Sequence, residues 1–254
     1  MSIKLITRRQ LTLVANQQLS YPLHIAEKDY FLTLALKQLS ASELGNRLVF
    51  KGGTALHHHY LPQYRFSEDL DFTSNDQNVT LDDFRKVFQD SQIFTIKKAY
   101  VSAHTVKIEK LQYVGVLAQP SHLKIDVSNV KNLALPAKSL KYQNVWELDF
   151  KVNYLDLREI AAEKISAINN RARYRDFYDL YFIKEELGVD LAEAINLLAK
   201  KDQPIQLSRG NILENYRVAV KEKMQDLSSI FVKKEVSNQD IEKLVQRLGD
   251  LSVE

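Results

Sequence analysis

Hydrophobic and polar positions along the chain fall into three regimes. Residues 8 to 19 and 26 to 40 repeat at helical spacing, the second with Ile25, Tyr30, Phe31, Leu34, Leu36 and Leu39 among polar neighbours and Pro22 between the two segments. They predict two amphipathic helices on the back of a sheet, with Glu27-Lys28-Asp29 as a charged first turn. From 48 to 130 the pattern shifts to short apolar runs and alternation. Leu48, Val49 and Phe50 read as a buried strand, Ala55 to Tyr60 as a short helix ended by Leu61-Pro62, and Asp69-Leu70-Asp71-Phe72 as a strand of period two. A polar loop at 74 to 80 follows, then a helix from Leu81 to Asp90 with Thr80 as candidate N-cap. Phe94 to Ser102, Thr105 to Leu117 and Ser121 to Val130 read as strands, the first two close enough for a hairpin. Residues 131 to 154, with Pro136 and Trp146, read as an irregular crossing. From Leu155 the spacing is helical. Leu157, Ile160, Ala161, Ile165 and Ile168 form one stripe behind the candidate N-cap Asp156, and 190 to 201, 209 to 226 and 238 to 249 are further helices. Leu187-Gly188, Pro204 and Ser237-Asn238 mark the breaks.

Strands with flanking helices followed by helices alone predict an α+β protein of two lobes, a mixed-sheet lobe over 1–150 and a helical lobe over 151–254, with a cleft between them. With 254 residues, 45% hydrophobic and 26% charged, the chain can bury a sizeable core as a soluble protein. The absence of cysteine excludes disulfides and thiolate metal sites. The start lacks the apolar core of a signal peptide and no apolar run approaches a membrane span, so the expected location is cytoplasmic with no membrane partner. A net charge of +3 is small, but between 97 and 151 nine lysines face four acids. Such a band suits a phosphate backbone; lysines guarding exposed strand edges are the other reading.

The candidate chemistry lies between 48 and 73. A strand that empties into Gly52-Gly53-Thr54 before a helix offers backbone N–H groups to a phosphate, though such a turn also serves as only a turn. In the strand that follows, Leu70 and Phe72 face inward while Asp69 and Asp71 share the other face. Two carboxylates so placed can hold Mg²⁺ together with substrate phosphate oxygens, or can be solvated surface. Asp126, within Lys124-Ile125-Asp126-Val127, stands opposite its β-branched neighbours and is either a third carboxylate of a two-metal site or a salt-bridge partner for Lys124 or a neighbour. His57-His58-His59 points in three directions on a helix, which favours packing or solvent over one metal ion.

Lys51-Gly52-Gly53-Thr54 followed by Arg65-Phe66-Ser67-Glu68-Asp69-Leu70-Asp71-Phe72 resembles the first motif of the AbiEii/AbiGii nucleotidyltransferase toxins, a branch of the polymerase-beta-like nucleotidyltransferase superfamily. The later Ala162-Glu163-Lys164, Arg171 and Arg175-Asp176-Phe177-Tyr178-Asp179-Leu180-Tyr181 resemble its paired C-terminal signature. The resemblance implies a nucleotidyltransferase-type sheet lobe followed by a helical lobe. It implies Mg²⁺ on Asp69, Asp71 and Asp126, the last also deprotonating the acceptor hydroxyl. Lys51, Gly52, Gly53, Thr54, Arg65, Ser67 and Lys164 would hold the NTP substrate, with Asp176 a required acid. A toxin with a separate antitoxin, adding nucleotides to the 3′ end of tRNA, is the implied activity. Nucleotidylation of a protein hydroxyl and a non-catalytic nucleotide-binding module are the competing readings. For Asp179, a surface pair with Arg175 at i,i+4 spacing is the structural alternative.

Overall fold

A computed structural model describes residues 5–74, 79–89, 91–129, 133–201, 206–227 and 230–251. The middle of the predicted polar loop at 74–80, the terminal Asp90 and Val130 of two predicted elements, and Pro204 lie outside the described residues. The chain divides into two compact units. One comprises Met1–His59, Ser67–Lys131 and Ala137–Tyr154; the other comprises Tyr60–Phe66, Asn132–Pro136 and Leu155–Glu254.

The first unit is built on a seven-stranded mixed sheet among the described residues. Its strands are β1 (Leu48–Lys51), β2 (Asp69–Ser74), β3 (Thr95–Val101), β4 (Thr105–Val114), β5 (Pro120–Ser128), β6 (Lys138–Lys141) and β7 (Lys151–Tyr154), in the order β3-β4-β5-β2-β1-β7-β6. The pairs β1–β2, β3–β4, β4–β5 and β6–β7 are antiparallel, while β2–β5 and β1–β7 are parallel. Strands β6 and β7 fall in the stretch expected to be irregular. Each is only four residues long, and Val152 and Tyr154 are the buried positions that seat β7 beside Phe50 of β1. So short an alternation between lysines gives no periodic signal.

The helices of this unit are α1 (Arg8–Val14), continued by a wider turn over Ala15–Leu19, α2 (Leu23–Ser40), α3 (Glu43–Arg47), α4 (Gly52–Ala55) and α5 (Leu81–Gln89). Thr80 caps α5 as expected, its hydroxyl accepting from Asp83 N while Asp83 accepts from Thr80 N. Helix α2 differs from the amphipathic expectation: it starts at Leu23, directly after Pro22, and is buried on nearly every side. Glu27 and Asp29 are therefore not a solvated first turn. Glu27 is buried and accepts from Leu117 N at 2.9 Å. Asp29, also buried, accepts from Trp146 Nε1 at 2.7 Å and lies 3.3 Å from His58 Nε2, whose Nδ1 is 2.7 Å from the Tyr142 hydroxyl. His57 and His58 are both buried. The histidine run thus serves packing and an internal polar network, which fixes the only tryptophan against Tyr30.

The second unit is helical, with α6 (Leu157–Asn170), α7 (Tyr174–Glu185), α8 (Leu191–Leu198), α9 (Arg209–Lys221), α10 (Lys223–Leu227) and α11 (Asn238–Leu251). Asp156 caps α6 through Arg158 N, and Gly188 closes α7 with φ +66°, its N–H reaching Lys184 O. The segment 60–66 joins this unit by backbone pairing: Arg65 bridges Val232, and Phe66 N donates to Ile230 O.

Removing the Asp29 carboxylate strands the buried donor of Trp146 and the His58 ring. Asp29→Ala should therefore lower unfolding free energy by about 2–4 kcal/mol. A urea midpoint close to wild type would show that the network is dispensable.

Candidate active site

The site begins at the junction of β1 and α4. Gly52 has φ +74°, and a Cβ built there would fall 2.3 Å from Asp71 Oδ2. Both facts exclude a side chain, since an L-residue is strained at that φ and the carboxylate occupies the space. The Gly-Gly pair is the start of the helix and not a loop before it, and it lets the Asp71 carboxylate lie against the turn. Thr54 is buried, and its hydroxyl donates to Asp69 O at 2.5 Å. That bond ties the turn to β2.

Register then assembles the acids. In the parallel pair β2–β5, Asp69 is opposite Lys124 and Asp71 is opposite Asp126. Leu70 and Ile125 are opposite each other on the buried side. Asp71 also faces Lys51 of β1, and Asp126 faces Lys107 of β4. Asp69, Asp71 and Asp126 consequently line one groove of about 410 Å³ with Lys107, Lys110, His122 and Lys124.

The lysines are the unexpected part. The partner of Asp126 is Lys107, with Nζ 2.8 Å from Oδ2, while Lys124 lies 4.0 Å from Asp69 Oδ1. Thr105 Oγ1 donates to Asp126 Oδ1 at 3.2 Å. The hydrogen bond and charge of Asp126, joined by the charges of Asp71 and Glu109, hold the Lys107 ammonium above the usual lysine value. Pairing β4 with β5 about the turn at 115–119 places Leu111 opposite Leu123, and a register shift between Ile108 and Leu111 then brings Lys107 opposite Asp126; the turn was legible in the sequence and the shift was not. Three carboxylates supply the hard oxygen donors that Mg²⁺ takes, so the donor chemistry fits. They are not gathered into a ready three-ligand centre among the described residues. Ammonium groups neutralise the row, and an exposed pair such as Lys107–Asp126 contributes only about 0–1 kcal/mol, so it opens easily.

The second unit brings together the other candidates. Lys164 Nζ lies 2.8 Å from Asp176 Oδ1 and 2.6 Å from Asp179 Oδ2. Arg65 donates Nε and Nη2 to the two oxygens of Asp179 at 2.7 and 2.6 Å, and Arg171 reaches Asp176 Oδ2 at 2.8 Å. Asp179 is thus fully buried in a two-cation clamp and is not half of a surface pair with Arg175. Arg65, six residues before Asp71, spends its fork on this clamp, and Ser67 is half-buried. Burial pushes the Lys164 ammonium down, but Asp176 and Asp179 outweigh both burial and Arg65 and hold it above its ordinary value. Burial likewise raises Asp176, and Lys164 with Arg171 brings it below the usual carboxylate range.

A mixed sheet with a Gly-Gly turn beside an Asp-x-Asp strand, preceding a helical region, is the architecture of nucleotidyltransferases. The fold matches MenT4, a nucleotidyltransferase toxin from Mycobacterium tuberculosis, with a TM-score of 0.68 at 19% identity over 96% of this chain and 89% of that one. It also matches a candidate nucleotidyltransferase from H. pylori with a TM-score of 0.57 at 18% identity, over 91% and 94% of the two chains. No curated protein matches. The model of the family described as nucleotidyl transferase AbiEii toxin, type IV TA system, matches residues 34–250, and the chain belongs to that family.

The charge cluster sets a pH dependence whose sign follows from the two shifts. Stability from Asp176 is complete above the unfolded carboxylate value of about 3.9 and is lost as pH falls through the lower folded value. That from Lys164 is complete below about 10.4 and is lost as pH rises through its raised value. Asp176→Asn should flatten part of the acid limb below about pH 4 and cost roughly 3 kcal/mol at neutrality. Urea midpoints measured across pH test this; an acid limb as steep as that of wild type contradicts it.

Proposed function

We propose that this protein transfers a nucleoside monophosphate from an NTP to the terminal hydroxyl at the 3′ end of tRNA. The acceptor oxygen attacks the α-phosphorus, its proton passes to Asp126, and the bond to the β-phosphate oxygen breaks to release pyrophosphate. The observation that carries this reading is the pairing of Asp71 with Asp126 in one groove, with Asp71 held against the Gly52 turn. In this reading Gly52 and Gly53 meet phosphates through the backbone, and Thr54 keeps the turn in place. Lys51 and Ser67 flank the same turn and strand in sequence. Mg²⁺, when bound by Asp69, Asp71 and Asp126, would neutralise charge developing on the phosphate oxygens.

Lys164 steadies the triphosphate. Asp176 and Asp179 take two of its three N–H donors, leaving one for a phosphate oxygen. Arg65 supports that lysine through Asp179 and does not contact the nucleotide itself. Positioning and charge neutralisation suffice, without a covalent enzyme intermediate. The excess of lysine between 97 and 151 supports an RNA acceptor over a protein one. No helix among the described residues is long and apolar enough to cross a membrane. We place the reaction in the cytoplasm, where tRNA and NTPs occur, and expect restraint by a separately encoded antitoxin.

Incubation with each labelled NTP and either total tRNA or total protein tests the proposal. Label should enter tRNA, and Asp71→Asn should reduce transfer on the order of 10²–10³-fold with little change in thermal stability. Label confined to protein, or transfer surviving in the variant, would overturn it.

A further inference from the structure

Strand β3 is an edge of the sheet, and its Tyr100 is 54% exposed. An exposed aromatic is the opposite of what edge protection calls for. Its position in the register gives it a different meaning. Tyr100 is opposite Lys107, Lys107 is opposite Asp126, and Asp126 is opposite Asp71. Residues paired in this way share a face, so the four side chains form one line across four strands and end in the acidic groove. Neighbouring strands lie about 4.8 Å apart, which puts Tyr100 about 10 Å from Asp126 along the sheet. Nucleotides stacked at about 3.4 Å each cover that interval with three residues.

The cations along the same face do not fit the edge-guard reading. Lys107 and Lys110 lie on β4 and Lys124 on β5, both interior strands, and all three line the groove. Lysines on interior strands cannot be blocking an edge. Glu109 also lines the groove and is answered by Lys98 of β3. A row of lysines that ends in an aromatic plane is the arrangement that binds a single strand without reading its sequence, because every base has a face to stack and every nucleotide a phosphate to neutralise.

We propose that Tyr100, Lys107, Lys110 and Lys124 form the acceptor track, holding the unpaired 3′ end of a nucleic acid. One base stacks on Tyr100, the backbone crosses the lysines, and the terminal hydroxyl arrives at Asp126. This rests on the transferase reading of the groove and adds to it the path and polarity of the acceptor. The exposed Lys107–Asp126 pair opens as the backbone takes over Lys107.

Fluorescence anisotropy of the full chain with a fluorescein-labelled single-stranded RNA oligonucleotide tests the track. Tyr100→Ala should weaken Kd about tenfold, and Tyr100→Trp should retain binding. Lys110→Gln should lower the slope of log Kd against log salt by about 0.7. Transfer of label from NTP to total tRNA by wild type tests the parent reading separately. If wild type labels tRNA and Tyr100→Ala binds the RNA oligonucleotide as tightly as wild type, the track is wrong and the transferase stands; if wild type transfers no label, the transferase reading itself falls. Loss of capture of a protein partner by Tyr100→Ala, with RNA binding intact, would make this face a protein-docking edge and overturn the proposal.

Discussion

The register of β2 against β5 is the constraint on which the site depends. A strand has period two, so a slip of β2 by one residue would turn Asp69 and Asp71 into the core and Leu70 and Phe72 into solvent, and a slip of β5 would do the same to Asp126 against Ile125 and Val127. Those four apolar side chains are all nearly fully buried, and each contributes about 1.5–3 kcal/mol on the correct face. The hydrophobic core therefore sets the position of the acids, and two of its members, Ile108 and Ile125, also form part of the groove wall. Gly52 adds a second lock, because the Asp71 carboxylate occupies the space of a missing Cβ.

Charge is handled differently in the two units. In the groove, lysines answer the acids at partly exposed positions, where pairing is weak and exchangeable. In the second unit, Arg65, Lys164, Asp176 and Asp179 are buried and paired with one another. Apolar side chains of equal volume would avoid the desolvation that such a cluster costs. A requirement for one permanently charged lysine would account for its retention, and the flanking carboxylates supply that condition by raising the Lys164 ammonium.

Much of this was legible in the chain. The alternation at 69–72, the Gly-Gly turn and the strand carrying Asp126 placed three acids on one face, since period and turn chemistry are local signals. The caps at Thr80 and Asp156 and the closing Gly188 were equally local. What escaped was set by distant pairing. Strands β6 and β7 are too short for a pattern, and their existence depends on the open flank of β1. The roles of Glu27, Asp29 and His58 depend on loops and strands up to about 117 positions away, which no window of sequence contains. Lys107 as partner of Asp126 depends on a one-residue shift within the β4–β5 pairing, and the Arg65–Asp179 clamp joins residues 114 apart; neither left a local trace.

The central claim is that acids from two strands act as one cation-binding set. Titration calorimetry with Mn²⁺ in the presence of a non-hydrolysable NTP tests it most directly, using wild type, Asp71→Asn and Asp126→Asn. A shared set predicts that each variant, although the two residues lie on different strands, weakens Mn²⁺ binding by at least about tenfold, or 1.4 kcal/mol. Unaltered Mn²⁺ affinity in Asp126→Asn would mean that β5 contributes no ligand and would contradict the account.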